Sequence, residues 1–160
     1  MTEFRALAAR PRRSIVLAAC LLPIGPIARA AAAPKGVTIS NAWFARAPDS
    51  AFLGFFTIAN SGDKPLLMTG WQSPACRHLK FEETSGEASG AILDKMTVPG
   101  RTKMAFVRGG YHLMCDGPRG TLQPGGTIPV TISFRSGQML TAPFEIRDVS
   151  KPKPVQNAAR

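Results

Sequence analysis

The segment Thr127–Phe134, TIPVTISF, carries the clearest structural signal in the chain. Every second side chain in it is apolar, namely Ile128, Val130, Ile132 and Phe134. Apolar residues at alternate positions are typical of a β-strand that buries one face, because successive side chains of a strand point to opposite sides. The segment therefore predicts a strand that lines a hydrophobic core.

Eight other segments have the same alternating, aromatic or β-branched character, and residues typical of turns separate them. They are 37–46, 52–60, 66–72, 78–84, 91–96, 103–108, 111–116 and 139–147. The sequence shows no amphipathic helix of three turns and no internal repeat. Short strands at this spacing predict an all-β sandwich or barrel of about eight or nine strands, in one domain over residues 34–148.

Residues 1–33 are predicted to be a secretory signal rather than part of the fold. Three arginines, at positions 10, 12 and 13, precede the apolar stretch 14–27. Ala28 to Ala33 then offer the small residues that a signal peptidase inspects. We expect cleavage near Ala30–Ala33 and a mature chain in the periplasm.

Two other fates of this segment stay open. Leu17–Cys20 resembles a lipobox, which would make Cys20 the site of a lipid anchor. Alternatively the segment stays attached as an uncleaved anchor. The pair Arg12-Arg13 leaves both the general secretory route and the twin-arginine route open.

The predicted signal contributes part of the positive charge of the chain, and the mature chain keeps the larger part. The full sequence has 20 Lys and Arg against 10 Asp and Glu, whereas residues 31–160 have 15 against 9, a net charge of +6. These charges are scattered and form no basic stripe with interleaved aromatic residues, so we expect no binding of nucleic acid. Residues 149–160 form a proline-containing tail that we expect to be disordered. The mature chain has no apolar run of the roughly 20 residues that a membrane span requires.

Two cysteines remain after the predicted cleavage, Cys76 and Cys115. An even pair in an oxidising compartment predicts a disulfide, which would close a loop of about 40 residues and contribute roughly 4 kcal/mol. The alternative is that one or both thiols stay free and bind metal. Because Cys115 directly follows Met114, its side chain is expected to point to the opposite face, into the interior.

The segment GGYHLM at 109–114 is the one that suggests chemistry. On a strand, His112 and Met114 emerge on the same side about 7 Å apart, whereas on a helix they would diverge by about 200°. Imidazole with thioether favours Cu(I), because thioether sulfur selects soft ions. We place Met96 at the end of a strand, from which it could reach the same rim. The competing interpretation is that the methionines fill the core and that His112 is a satisfied polar residue.

GGYHLM, Met96, Ala42-Trp43 and the late strand PVTISF together resemble the periplasmic copper chaperones of the PCu(A)C family, over residues 36–147. The resemblance implies a cupredoxin-like β-sandwich that binds one Cu(I) through His and Met at a solvent-accessible rim. It also implies delivery of copper to the centres of cytochrome c oxidase. Carried across by position, the implied ligands are Met96, His112 and Met114.

The family's first His ligand has no counterpart here, and the best match to its position is Glu82. A carboxylate is a hard ligand and a poor partner for Cu(I). Three outcomes stay open: a site without Glu82, a site in which Glu82 ligates Cu(II), and a degenerate site. His78 shares the strand face of Glu82 but lies about 13 Å away along an extended strand.

The sequence thus predicts a carrier of one copper ion, as Cu(I), which receives copper from or gives it to another periplasmic protein. We expect a monomer and no enzyme, since the sequence has no phosphate-binding loop, nucleophile elbow or Cys-x-x-Cys motif. The first alternative is a β-sandwich interaction or assembly module with a degenerate site. The second is a thiol–disulfide protein that uses Cys76 and Cys115.

Overall fold

The computed structural model describes residues 32–47, 51–85 and 90–148. The predicted signal lies outside the described residues except for Ala32 and Ala33, and so does the whole predicted tail 149–160. The described chain forms ten strands: β1 Val37–Arg46, β2 Phe52–Asn60, β3 Leu66–Gln72, β4 Cys76–Glu83, β5 Ala91–Ile92, β6 Met96–Val98, β7 Thr102–Phe106, β8 Tyr111–Pro118, β9 Thr127–Phe134 and β10 Met139–Arg147. No helix in this part of the chain has the length and apolar character of a membrane span.

All ten strands belong to one curled sheet with the order β5-β4-β8-β2-β1-β10-β9-β3-β6, and β7 also pairs with β2. Only β1 and β10 run parallel among the described pairs. The sheet curls far enough that Trp71 on β3 packs on Phe81 on β4, with ring centroids 4.9 Å apart. The predicted all-β fold is confirmed as this half-barrel.

The inner face of the curled sheet is filled by large aromatic side chains. Phe44, Phe81, Phe106 and Phe144 are each at most 1% exposed. They come from β1, β4, β7 and β10, which lie far apart in the sequence. The core therefore depends on curling of the sheet, which brings the alternate positions of separate strands together.

The prediction of a single strand over residues 91–96 is wrong. The segment divides into β5, which pairs with β4 through Glu82↔Ile92, and β6, which pairs with β3 through Met68↔Met96. Met96 begins β6 rather than ending the preceding strand. The physical reason is that the two pieces add to opposite edges of the sheet, which a local apolar pattern does not reveal.

The predicted disulfide is confirmed. Cys76 and Cys115 are bonded, with Cα atoms 5.4 Å apart and a sequence separation of 39. The bond joins β4 to β8, and Cys115 is fully buried in the core as expected from its position after Met114. These two strands also carry Glu82, His112 and Met114.

The partner strand of β2 is interrupted beside the candidate site. Phe106 of β7 faces Phe56 and Leu113 of β8 faces Gly54, so residues 107–112 stand opposite the single residue Phe55. The chain turns back through Gly109, whose φ of 74° is in the left-handed region that favours glycine. This excursion positions the carbonyl group of Gly110 next to His112 and the side chain of Arg108 over the ring of Phe55.

Gly54 marks a close approach between β2 and the core. A Cβ atom at this position would lie 2.6 Å from the ring of Phe44, which is fully buried. We expect Gly54→Ala to lower the free energy of unfolding by about 1–3 kcal/mol, because the ring cannot move aside in a packed core. Denaturant unfolding measures this, with Gly70→Ala as control because its Cβ would meet nothing nearer than 3.6 Å. Equal stability of the two variants would contradict the assigned packing.

Candidate metal site

A row of side chains crosses the outer face of the sheet, the face that points away from the core. Glu82 on β4 stands opposite His112 on β8. Phe55 on β2 comes next, with its ring centroid 6.2 Å from that of His112. Trp43 on β1 follows, 4.7 Å from the ring of Phe55. We call Glu82, His112, Phe55 and Trp43 the outer row.

His112 is held from two directions. Its Nδ1 lies 3.4 Å from the carbonyl oxygen of Gly110, which also accepts hydrogen bonds from the backbone and hydroxyl groups of Thr84. Its Nε2 lies 3.5 Å from Oε2 of Glu82. If Nδ1 carries the hydrogen and donates to Gly110, Nε2 presents its lone pair to the carboxylate. Two such acceptors repel one another unless a cation lies between them.

The distance between these two atoms suits a metal ion. At bond lengths of about 2.0–2.1 Å, two ligands of a tetrahedral ion are about 3.3–3.4 Å apart. The contact of Nδ1 with a backbone carbonyl is also typical of metal-binding histidines, which donate their other N–H in this way. The alternative cation is a proton, which would give an imidazolium–carboxylate ion pair. The geometry is compatible with both.

Met114 lies on the same face, two residues after His112. It is half-buried and does not belong to the hydrophobic residues that pack on the core. Its neighbours across the sheet are Lys80 on β4 and Leu53 on β2. Met114 therefore lies on the same face of the sheet as Glu82 and His112 and outside the core.

A charged pair borders Met114. Lys80 Nζ donates a hydrogen bond of 3.0 Å to Asp116 Oδ2. This hydrogen bond, and after it the positive charge of Lys80, lower the pKa of Asp116. On the inner-face side of the same strands, the charge of Glu83, followed by burial and a hydrogen bond to Glu83, raises the pKa of the Tyr111 phenol. Tyr111 therefore stays neutral and Asp116 charged near pH 7.

The other two candidate residues lie elsewhere. Met96, on β6, stands opposite Met68 and packs against the core. His78, on β4, is exposed and stands opposite Asp116. The structure therefore brings Glu82, His112 and Met114 together, and it shows Met96 in a different environment.

The family resemblance implied that the imidazole of His112 lies at an open rim. The structure instead buries it. The side chain of His112 is 5% exposed and that of Glu82 is 17% exposed. The ring of Phe55 lies beside it, and the Arg108 guanidinium lies 5.7 Å from the centroid of that ring. Sequence reasoning missed both residues, because their proximity comes from the excursion at 107–112 and from the neighbouring strand β2.

The donor set limits which ion can bind. Within the described residues, no group of three or more His, Cys, Asp and Glu side chains could hold a metal. A metal at Glu82 and His112 must therefore take sulfur from methionine or oxygen from solvent as its further ligands. A nitrogen, a carboxylate oxygen and a thioether suit copper better than calcium or magnesium, which prefer oxygen alone.

The fold belongs to a known class. The copper-bound PCuAC domain from PmoF2 matches with a TM-score of 0.62 at 18% identity, over 74% of this chain and 97% of that domain. The Cu(I) form of DR1885 from Deinococcus radiodurans matches with a TM-score of 0.60 at 23% identity, over 72% of this chain and 80% of that one. The protein therefore has a PCu(A)C-type fold.

The chain itself belongs to the LpqE-like family, which is related to the PCuAC family. The family model, described as "Putative lipoprotein LpqE-like", matches residues 37–146. A protein of Leifsonia xyli subsp. xyli (strain CTCB07), "Putative lipoprotein Lxx21020", is 25% identical over 119 residues, which are 72% of each chain.

Proposed function

We propose that this protein is an exported copper carrier that holds one copper ion at His112, Met114 and Met96, with Glu82 as a further ligand when the ion is Cu(II), and passes it on. The observation that supports this most is the 3.5 Å separation of His112 Nε2 from Glu82 Oε2, next to an outer-face thioether. The copper-bound PCuAC domain from PmoF2, which shares the fold, supports the choice of metal. Carriage requires ligands that exchange, and a site of few ligands near the surface favours this.

Cu(I) is the oxidation state in this proposal, because thioether sulfur and imidazole both suit the monovalent ion. The test is titration of the unsubstituted protein with Cu(I) in competition with a coloured chelator, followed by X-ray absorption spectroscopy at the copper edge. One ion per chain with both nitrogen and sulfur neighbours is the expected result. Absence of stoichiometric binding by folded protein under reducing conditions would exclude the proposal.

We propose that the carboxylate of Glu82 strengthens the binding of Cu(II) and contributes little to the binding of Cu(I). Glu82→Gln keeps the shape of the side chain but removes its charge, so we expect Cu(II) affinity to fall by about tenfold or more. Cu(I) affinity is expected to change by less than about threefold. Competition titrations with each ion measure both effects.

The matched control is Glu83→Gln, because Glu83 is the next residue of β4 and interacts with Tyr111 instead. It removes the same charge and should change neither affinity. A loss of Cu(I) binding in Glu82→Gln equal to the loss of Cu(II) binding would contradict the assigned preference.

Met96 is the fourth ligand in this proposal, although it packs against the core. The backbone N–H of Leu93 donates a 2.8 Å hydrogen bond to Phe81, the residue before Glu82. Met96 is three residues further along, which an extended chain covers in at most about 11 Å. Ligation requires the Met96 side chain to leave the core beside Met68 and turn towards the outer face.

Met96→Leu should therefore weaken Cu(I) binding moderately, by about three- to tenfold, since leucine fills similar space but cannot ligate. The chelator titration measures this, and Met139→Leu, in the hairpin between β9 and β10, is the control. Unchanged affinity would remove Met96 from the ligand set and leave the other ligands in place.

Export and transfer complete the proposal. The LpqE-like family model and the Leifsonia xyli relative both carry the word lipoprotein in their names. This supports export through residues 1–33, and the mass of the mature chain distinguishes cleavage near Ala30–Ala33 from acylation at Cys20. We propose a monomer in the periplasm that exchanges copper with a partner protein, in a route that leads to cytochrome c oxidase, and that catalyses no reaction.

A second candidate is a β-sandwich interaction or assembly module that binds no metal. It is favoured by the burial of His112 and by the oxygen atoms near both of its ring nitrogens. In that case a proton occupies the space between His112 and Glu82. The copper titration distinguishes the two functions, since this candidate predicts no stoichiometric copper.

A further inference from the structure

A second site lies at the end of the barrel where β1, β8 and β10 finish. It is an open cleft of ≈ 970 Å³, and its lining includes Arg46, Arg108 and Arg147. Arg46 and Arg147 are the last residues of the parallel strands β1 and β10, so they leave the sheet at the same end. Arg108 reaches the cleft from the excursion between β7 and β8.

Each of the three guanidinium groups is held over an aromatic ring. The distances to the ring centroids are 5.9 Å for Arg46 over Phe52, 5.7 Å for Arg108 over Phe55 and 5.2 Å for Arg147 over Trp43. A guanidinium that stacks on a ring keeps its N–H donors in its own plane, where they can still bind an anion. Stacking also orders the side chain in advance, which reduces the entropy lost on binding.

The positive charge in the cleft is only partly balanced. Arg147 binds Glu145 at 2.8 Å. The carboxylate of Asp148 also lines the cleft, and Asp148 has an interaction of its own. The ion pairs formed by Asp63, Glu82, Asp116 and Glu145 do not involve Arg46 or Arg108. Arg46 and Arg108 are both exposed, so their guanidinium groups can contact an incoming anion.

Apolar side chains also line the cleft. They are the half-buried Leu122 and the nearly buried Phe52 and Ile146. The loop that carries Leu122 is fastened at both ends, by the hydrogen bond from Arg119 N to Ala75 and by a pair of 2.8 Å hydrogen bonds between Ile146 and residues 125–126. The cleft therefore offers a preformed apolar surface beside the donors.

We propose that this cleft binds a phosphate ester that has an apolar substituent. A phosphate group has more strong acceptor oxygens than a carboxylate, so guanidinium groups from separate elements can contact it at once. The substituent packs on Phe52, Leu122 and Ile146. The same chemistry is present in a soluble organic phosphate and in the headgroup region of a phospholipid. No residue that lines the cleft is a proposed copper ligand, although Arg108 lies over Phe55 beside His112, so the two proposals are tested by separate binding measurements.

The test uses phenyl phosphate as the probe, measured by calorimetry on the natural chain. Binding is expected to be saturable, tighter than that of inorganic phosphate, and weaker at high salt. Arg46→Gln/Arg108→Gln should lower the affinity by about tenfold or more, because it removes charge-assisted hydrogen bonds. The control Arg101→Gln/Arg135→Gln removes the same charge from turns at the other end of the barrel and should stay within about twofold.

Three results would overturn the proposal: no saturable binding of phenyl phosphate, equal losses in both double variants, or phenol binding as tightly as phenyl phosphate. A flotation assay then identifies whether the bound phosphate belongs to a lipid headgroup or to a soluble ester. It compares phosphatidylglycerol vesicles with phosphatidylcholine vesicles. Co-flotation that is lost only in the Arg46/Arg108 variant supports the lipid headgroup as ligand. Loss of phenyl phosphate binding with no difference in flotation supports a soluble ester. Arg46→Lys/Arg108→Lys keeps the positive charge but removes the planar guanidinium groups with their paired N–H donors. We expect this variant to bind phenyl phosphate with intermediate affinity.

Discussion

Replacing His112 and Met114 together by alanine is expected to weaken Cu(I) binding by more than about a hundredfold. Loss of a group that only supports a metal ligand already costs about 10- to 100-fold in affinity, and this variant removes two proposed ligands. Its remaining candidates, Glu82 and Met96, are a hard carboxylate and a thioether that packs against the core. The measurement is competition with a chelator at fixed pH, together with the sulfur and nitrogen neighbours of copper from X-ray absorption.

The chain offers a close control for this experiment. It contains only two histidines, and the other, His78, is exposed on β4 opposite Asp116. His78→Ala with Met139→Ala removes the same two side-chain types away from the outer row and should leave the affinity within about twofold. A larger loss in the control than in the His112/Met114 variant would refute the assigned site.

Burial of His112 requires a separate measurement of folding in this experiment. The side chain is 5% exposed, so alanine leaves space beside Phe55. His112→Asn fills more of that space, and with Met114→Leu it gives a second variant without either proposed ligand. Both double variants should lose copper, and circular dichroism should show that they stay folded. If the folded His112→Asn/Met114→Leu variant kept its full copper affinity, His112 and Met114 would be excluded as ligands.

Removing the disulfide by Cys76→Ala/Cys115→Ala is expected to lower the free energy of unfolding by about 4 kcal/mol. The bond closes a loop of 39 residues between β4 and β8, so without it the unfolded chain gains many conformations. For a domain of this size the midpoint of thermal unfolding should fall by on the order of 10–20 °C. A loss below about 1 kcal/mol would show that the bond contributes little to stability.

The same variant separates a structural role of the cysteines from a role in copper binding. Free thiols are strong Cu(I) ligands, so chemical reduction alone would create new sites. The alanine variant has no thiol in the described domain, and at a temperature where it is folded it should still bind one copper ion. If the protein instead used its cysteines as thiol–disulfide groups, the bond would be reduced readily under mild conditions, whereas a structural disulfide resists such reduction.

Much of the local structure could be predicted from the sequence, because strand formation depends on a repeat of two residues along the backbone. The segments 37–46, 52–60, 66–72, 127–134 and 139–147 were predicted with the bounds that the structure shows. The same repeat predicted that Cys115 points into the core while Met114 points out. The disulfide followed from the number of cysteines and the expected compartment.

The predictions that failed concern which strands become neighbours. The apolar segment 91–96 gave no sign that its two ends pair with different edges of the sheet. The resemblance placed His112 at an open rim, and the structure covers it with Phe55 and the excursion at 107–112. The cleft arginines are also far apart in sequence, and no motif connects them.

The sequence by itself determined most of the strands, the alternation of faces along them and the pairing of the cysteines, since these depend on local periodicity and composition. Only the tertiary structure decided that β8 lies between β4 and β2, which places Glu82 on one side of His112 and Phe55 on the other. It also decided that Arg46, Arg108 and Arg147 meet in one cleft. The physical reason is that strand order and register depend on the packing of the whole core, which no short segment contains.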